Sequence, residues 1–324
     1  MLPSNLNPGE AHRDSNPGEE LHLYTEQTQK CPLSSVHFEW QVIYDEDEAD
    51  EVRALTSDAS GNVYLAGTFH DREGNGGDLF IAKYFPNGTQ AWNGTLGGAS
   101  EEGARDIALD GEGNLYVVGF SENASNGSDR DILLVKFNVT GGHEWNKTWG
   151  YDSWDMGHGL KLDEGGNIYI TGYTENLTSG EDVLLLKVNA TGNLEWMTTW
   201  GGTDNEIGYD LALDPGNNTF ITGSTASYGA SGENIFLLKV NASGFLDWNV
   251  TWGGNLPEEG RAIVMDSSNH TFVAGSTRSF GAGGYDVVLL SHDEEGTLQW
   301  EKTWGGSGDD FGYGIDFSQG RGLF

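Results

Sequence analysis

The chain has 324 residues with 49 Gly, 11 Trp, 7 Pro and a single Cys, a turn-rich and aromatic composition unlike that of a membrane or disordered protein. Its 16 Lys plus Arg stand against 50 Asp plus Glu, a formal charge of -34, and a surface of that sign repels phosphate backbones, which excludes nucleic acid as an expected partner. Cys31 alone supports neither an internal disulfide nor a Cys-based zinc or iron-sulfur site, and no apolar run is long enough to predict a membrane span.

In chain order, residues 1–35 carry four of the seven prolines without strand or helix periodicity and predict an irregular, disordered tail. Residues 36–324 form the predicted folded region, opening with a strand over Val36 to Tyr44. From there Trp40, Trp92, Trp145, Trp196, Trp248 and Trp300 recur at intervals of 52, 53, 51, 52 and 52 residues. Each is followed 24 positions later by an aromatic: Tyr64, Tyr116, Tyr169, Phe220, Phe272 and Phe324. Within one unit, GLKLD, NIYITG, DVLLLKV and LEWMTTW are short β-branched and aliphatic runs separated by the turn clusters DEGGN and NATGN, so each unit predicts four strands. Repetition near fifty residues with four strands points to an all-β fold, a β-propeller of four-stranded antiparallel blades, with five complete repeats and a sixth that stops at Phe324 inside its second strand. The expectation is a truncated sixth blade. The strand before D-x-x-G-N is expected innermost and the marker-Trp strand outermost, with Val36 to Tyr44 able to close the ring.

The small column Ala104, Gly157, Gly208, Gly260 and Gly312, from which only Val52 departs, fits positions where blades crowd towards an axis. The paired tryptophans, such as Trp196 and Trp200, read as packing between blades. Length varies only in the loop from the column Gly67, Gly119, Gly172, Gly223 and Gly275 to the column Asp78, Asp131, Asp182, Asn234 and Asp286.

The string W-x-x-T-W-G-G, then D-x-x-G-N-x-Y-x-x-G, D-x-x-L-L-K and T-G-x-x-x-W resembles the SBBP β-propeller repeat of archaeal and bacterial surface proteins, over residues 36–324. That resemblance implies architecture and export and brings no established catalytic residues. T-G-x-x-x-W also resembles the tryptophan-docking segment of quinoprotein propellers, but the G-N-x-Y-x-x-G and W-G-G columns favour SBBP.

Ten residues after each marker Trp stand Asp50, Glu102, Asp155, Glu206, Glu258 and Asp310. All are acidic, they precede the innermost strand, and a closed ring would gather them at one channel mouth beside the variable loops. Either each carboxylate accepts backbone N–H bonds and pins its own loop, or the group binds a hard cation such as calcium, or it forms a charged face for a basic partner. No D-x-D-x-D-G loop is present. A second column, Asp58, Asp110, Asp163, Asp214 and Asp266, reads as turn capping. Lys83, Lys136, Lys187 and Lys239 are expected to pair with a neighbouring strand or blade.

Twelve N-x-S/T sequons, at Asn87, Asn93, Asn123, Asn126, Asn138, Asn146, Asn176, Asn189, Asn217, Asn241, Asn249 and Asn269, exceed chance and favour glycosylation outside the cell, although copied turns supply part of the excess. Catalytic signals are sparse: the eight His share no column, and no G-x-S-x-G, H-E-x-x-H or P-loop occurs. The sequence therefore reads as a non-enzymatic, acidic propeller at the cell surface or outside it, binding a protein or glycan on its variable-loop face, without a required cofactor. The alternatives are a quinoprotein-like or glycan-cleaving enzyme, and an intracellular scaffold, since no signal peptide is evident.

Overall fold

The fold is described from a computed structural model over residues 50–70, 76–122, 129–151, 153–176, 180–318 and 322–323. The predicted tail and the predicted strand at Val36 to Tyr44 lie outside the described residues. Strands β1 (Glu51–Ser57), β2 (Val63–His70), β3 (Gly77–Tyr84) and β4 (Gln90–Leu96) form the first antiparallel sheet. The second contains β5 (Glu102–Leu109), β6 (Leu115–Glu122), β7 (Arg130–Phe137) and β8 (His143–Trp149). The third contains β9 (Asp155–Leu162), β10 (Ile168–Asn176), β11 (Gly180–Val188) and β12 (Leu194–Trp200). β13 (Glu206–Leu213), β14 (Thr219–Thr225), β15 (Asn234–Val240) and β16 (Leu246–Trp252) form the fourth. β17 (Glu258–Met265), β18 (Thr271–Thr277), β19 (Asp286–His292) and β20 (Leu298–Trp304) form the fifth. Strand order is sequence order in every sheet. First strands of successive sheets pack on one another, β1 on β5, β5 on β9, β9 on β13 and β13 on β17, which makes them the inner strands of a propeller.

The turns explain why these residues stop and reverse. In each D-x-x-G-N turn the Asp side chain accepts the backbone N–H groups two and four residues on, as Asp163 does from Gly165 (2.9 Å) and Asn167 (2.8 Å). The fourth and fifth turns substitute Asn217 and Asn269 at the left-handed position, with φ of 60° and 61°. In the N-x-T/S-G turns the leading Asn does the same work: Asn189 accepts from Thr191 (3.1 Å) and Asn193 (3.0 Å). Part of the sequon excess therefore has a conformational cause.

The cores lie between sheets. Leu133 and Val135 of the second sheet pack with Leu79 and Ile81 of the first, and equivalent clusters join the second to the third, the third to the fourth and the fourth to the fifth. In the described sheets the marker tryptophans close the outer side, four of them edge-on to the aromatic of the same sheet's second strand, as Trp196 is to Tyr169 at 6.2 Å, while Trp300 is tilted on Phe272. The Lys column runs between the two, with Lys187 lying 5.5 Å from the Tyr169 ring centre and 3.1 Å from Glu195 on the outer strand. Lys136 pairs likewise with Glu144, while Lys239 reaches Glu294 of the next sheet at 3.8 Å.

Every inner strand carries a β-bulge at the residue after the small column: Arg53, Arg105, His158, Tyr209 and Arg261. Opposite each bulge stands the glycine of the second strand, because the bulged strand's carbonyl points into it. A Cβ on Gly223 would lie 1.8 Å from the Ile207 oxygen. The small column is small for a different reason, since a Cβ on Gly208 would lie 2.4 Å from Thr171 Oγ1 of the preceding sheet.

After Gly305 the chain starts the same pattern again. β21 (Phe317–Ser318) pairs with β22 (Gly322–Leu323), and Phe317↔Leu323 repeats the Met265↔Thr271 pair of the fifth sheet one repeat later. Residues 311–316, expected as a sixth inner strand, are not strand-paired.

Candidate functional site at the loop-bearing end

The connections from outer to inner strands and the variable loops emerge at one end, where the acidic column stands. Glu206 and Glu258 are fully buried and fully engaged. One Glu206 oxygen accepts the Gly202 N–H (2.6 Å), and the other accepts the Thr225 hydroxyl (2.8 Å) and the Ser227 N–H (2.9 Å). Glu258 repeats this with Gly254 (2.9 Å), Thr277 (3.2 Å) and Ser279 (3.0 Å). Asp155, also fully buried, accepts the Tyr151 N–H at 2.7 Å; Glu102 accepts the Ser121 hydroxyl at 2.9 Å; Asp310 accepts the Gly306 N–H at 2.9 Å; and Asp50 accepts the His70 N–H at 2.9 Å. Each carboxylate thus ties the inter-sheet loop, the variable-loop strand, or both. Only Glu206 and Glu258 have both oxygens bonded; Asp50, Glu102 and Asp155 each keep one buried oxygen without a hydrogen-bond partner among the described residues.

Beside Glu102, Asp155, Glu206, Glu258 and Asp310 lies a residue near the start of the third strand of the preceding sheet (Asp78, Asp131, Asp182, Asn234 and Asp286), and each pair flanks the glycine that follows the outer strand of that sheet. A Cβ on Gly201 would meet Asp182 Oδ1 at 1.7 Å and Glu206 Oε2 at 3.0 Å, which accounts for the W-G column. The proximity has an electrostatic consequence. Burial, reinforced by Asp78 and Glu122, pushes the Glu102 carboxyl up; burial with Asp131 and Asp129 does the same to Asp155. Among the described residues no group of three or more His, Cys, Asp or Glu is placed to hold a metal ion.

Sequence reasoning missed the bulge column, the part of this end that differs from sheet to sheet. His158 donates its Nδ1–H to the Gly208 carbonyl (3.1 Å), stacks on Tyr209 with ring centres 5.4 Å apart, and is pushed down to about 4 by burial and by Arg105 and Arg261. Arg261 lies 4.1 Å from the Tyr209 ring centre. One residue further along the inner strands, Asp106 accepts the Leu160 N–H (2.7 Å) of the next sheet and Asp210 accepts the Ile263 N–H (3.0 Å) of the one after it. Lys161 bonds Asp210 at 3.2 Å. Burial raises Asp106 to about 6 against the opposing pull of Lys161.

The loops over the fourth and fifth sheets are held by the second tryptophans. Tyr228 stacks on Trp200 at 4.9 Å and donates to the Gly201 carbonyl at 2.8 Å, and Phe280 lies 5.0 Å from Trp252.

No family model matches the chain. Over 139 residues it is 27% identical to the Regulatory protein FlaEY of Caulobacter vibrioides, a match covering 36% of this chain and 15% of that protein, so the chain spans a small part of that relative's length. Among solved structures, the WD40 domain of Neurospora crassa Pan2 aligns with a TM-score of 0.54 at 7% identity, covering 81% of this chain and 68% of that one. A protein of unknown function from Dyadobacter fermentans aligns with a TM-score of 0.51 at 12% identity, covering 82% and 79%. These likenesses establish the propeller fold.

Proposed function

We propose that the chain is a non-catalytic binding scaffold of the SBBP-like surface type, recognising a protein or glycan at its loop-bearing end. One observation carries this reading: the acidic residues that recur in every unit are engaged in tying loops and strands together, while the side chains that vary from sheet to sheet collect at the bulges and loops of the same end. A rigid repeated frame with variation confined to one end is the arrangement repeat proteins use for recognition. The six-bladed ring, export and glycosylation belong to the same proposal. Exposed sequon residues Asn87, Asn93, Asn146 and Asn249 support the last.

The enzyme alternative requires converging polar groups of unequal acidity near the axis, and Asp106 with Lys161 is the pair that comes nearest. Its Asp is already occupied by backbone N–H groups of two sheets. Incubation with lactones, aryl glycosides and a dye-linked aldose oxidation assay, with and without calcium, tests the reading. No turnover above a heat-denatured control is expected. Turnover that disappears in Asp106→Asn would overturn it.

A further inference from the structure

The chain has eight arginines, and those within the described residues, Arg53, Arg105, Arg130, Arg261 and Arg278, all lie on inner strands or at the loop-bearing end. Three come together at the second sheet. Arg130 is held firmly: its guanidinium carbon lies 4.4 Å from the Phe120 ring centre and 4.6 Å from the Trp154 ring centre, and it bonds Glu101 at 2.7 Å. Its Nε is buried with no hydrogen-bond partner among the described residues. Arg53 pairs with Glu51. Arg105, the extra residue of its bulge, lies 5.3 Å from the same Phe120 ring and makes no hydrogen bond or ion pair with another described residue. Burial and the charges of Arg53 and Arg130 together weaken its hold on its proton.

Three guanidiniums therefore share two carboxylates. A half-buried guanidinium beside like charges is costly unless an anion joins it. We propose that Arg105, with Arg53 and Arg130 beside it, binds an oxyanion: the carboxylate or phosphate group of a small ligand or chain end entering the loop-bearing end of the channel. The planar forks of arginine match paired oxygens, and Phe120 supplies a floor that excludes water from one side. Trp154, 41% exposed and covered by Arg130, offers an apolar plate to the ligand's body. The net charge of -34 does not forbid this, because repulsion from carboxylates further off than about 10 Å is screened at about 0.1 M salt. The inference rests on the scaffold reading, naming the ligand chemistry for the same end.

Isothermal calorimetry with inorganic phosphate and with D-glucuronate, against sodium chloride at matched ionic strength, tests it and separates the two sources. Binding of one or both probes is expected to wild type and to Lys302→Gln, a substitution on the outer strand, and to weaken at least about tenfold in Arg105→Gln. If circular dichroism shows that Arg105→Gln does not fold, Arg105→Lys, which keeps the charge and removes the fork, is expected to weaken binding in the same direction. Absence of heat with both probes, or equal affinity in a folded Arg105 variant, would overturn the site. Neither outcome bears on turnover, so failure of the site and failure of the scaffold reading are distinguishable.

Discussion

At the scale of single residues, the carboxylates of the repeat act as connectors whose loss is structural. Glu206 accepts three hydrogen bonds in a fully buried setting, and truncating it leaves the Gly202 and Ser227 N–H groups without that acceptor. Glu206→Ala is expected to cost about 2–4 kcal/mol, from bonds to a charged group and the desolvated donors left behind. Urea unfolding with and without calcium should give the same loss in both. Gly201→Ala should also destabilise, by about 1–3 kcal/mol of overpacking, because its Cβ would collide with Asp182. The two perturbed groups of the axis work in opposite senses with pH. Asp106 is an acid raised from 3.8 to about 6, so its contribution to stability is present below 3.8 and is lost as pH rises through about 6. His158 is a base lowered from 6.5 to about 4, so its contribution is present above 6.5 and is lost as pH falls towards 4. Between pH 7 and pH 5, Asp106→Asn should therefore lose more stability than wild type and His158→Gln less. Urea midpoints at the two pH values check both signs, and parallel behaviour of the three proteins would refute them.

At the scale of the element, the informative feature is the inner-strand bulge. Pairing runs Ile207↔Ser224 and Gly208↔Gly223 on one side of Tyr209 and Asp210↔Thr222 on the other, so Tyr209 is the extra residue. Deleting it forces the start of β13 to slip by one position, which turns Glu206 away from Thr225 and Ser227 because side chains alternate faces with a period of two. Deletion of Tyr209 should lower the melting temperature far more than Tyr209→Ala, which keeps the register, and similar melts for the two would argue against a structural bulge. The frame around the bulge was legible in the sequence: in the five described sheets, four strands per unit, the turn Asp column and the small inner column appear where their spacing placed them, whereas each marker Trp meets the aromatic that precedes it in its own sheet, as Trp92 meets Tyr64, and not the one 24 residues further on. The bulge residues escaped notice because Arg53, Arg105, His158, Tyr209 and Arg261 share no chemistry, and a periodic reading finds only what recurs. Their signal was indirect. It lay in the second-strand Gly column, which has no turn to make and is small because a bulged carbonyl points at it. The acidic column was found, but its burial was not legible, since the Thr and Ser donors that surround it come from a strand about twenty residues further on.

At the scale of the whole molecule, charge is the dominant variable. With a formal net charge of -34 the native fold repels itself, so added salt of any kind should stabilise it, most steeply at low ionic strength where the screening length is longest. A bound divalent cation would add a different effect, because a ligand that binds only the native state stabilises it in proportion to the logarithm of its concentration over its dissociation constant. Melting curves in calcium chloride, magnesium chloride and sodium chloride at matched ionic strength separate the two. The occupied oxygens of Glu206 and Glu258 lead to the expectation that the three salts raise the melting temperature alike. Asp155 and Glu102 make the measurement worthwhile, since each keeps one buried oxygen without a hydrogen-bond partner in a cluster of carboxylates. If calcium alone gave an excess of several degrees, and Asp155→Asn with Glu102→Gln removed the excess while leaving the sodium response, the junctions between sheets would be cation sites and the purely structural reading of the column would fall. If the excess persisted in that double variant, the cation would be bound elsewhere, and the remaining members of the column, Asp50, Glu206, Glu258 and Asp310, would be substituted in turn.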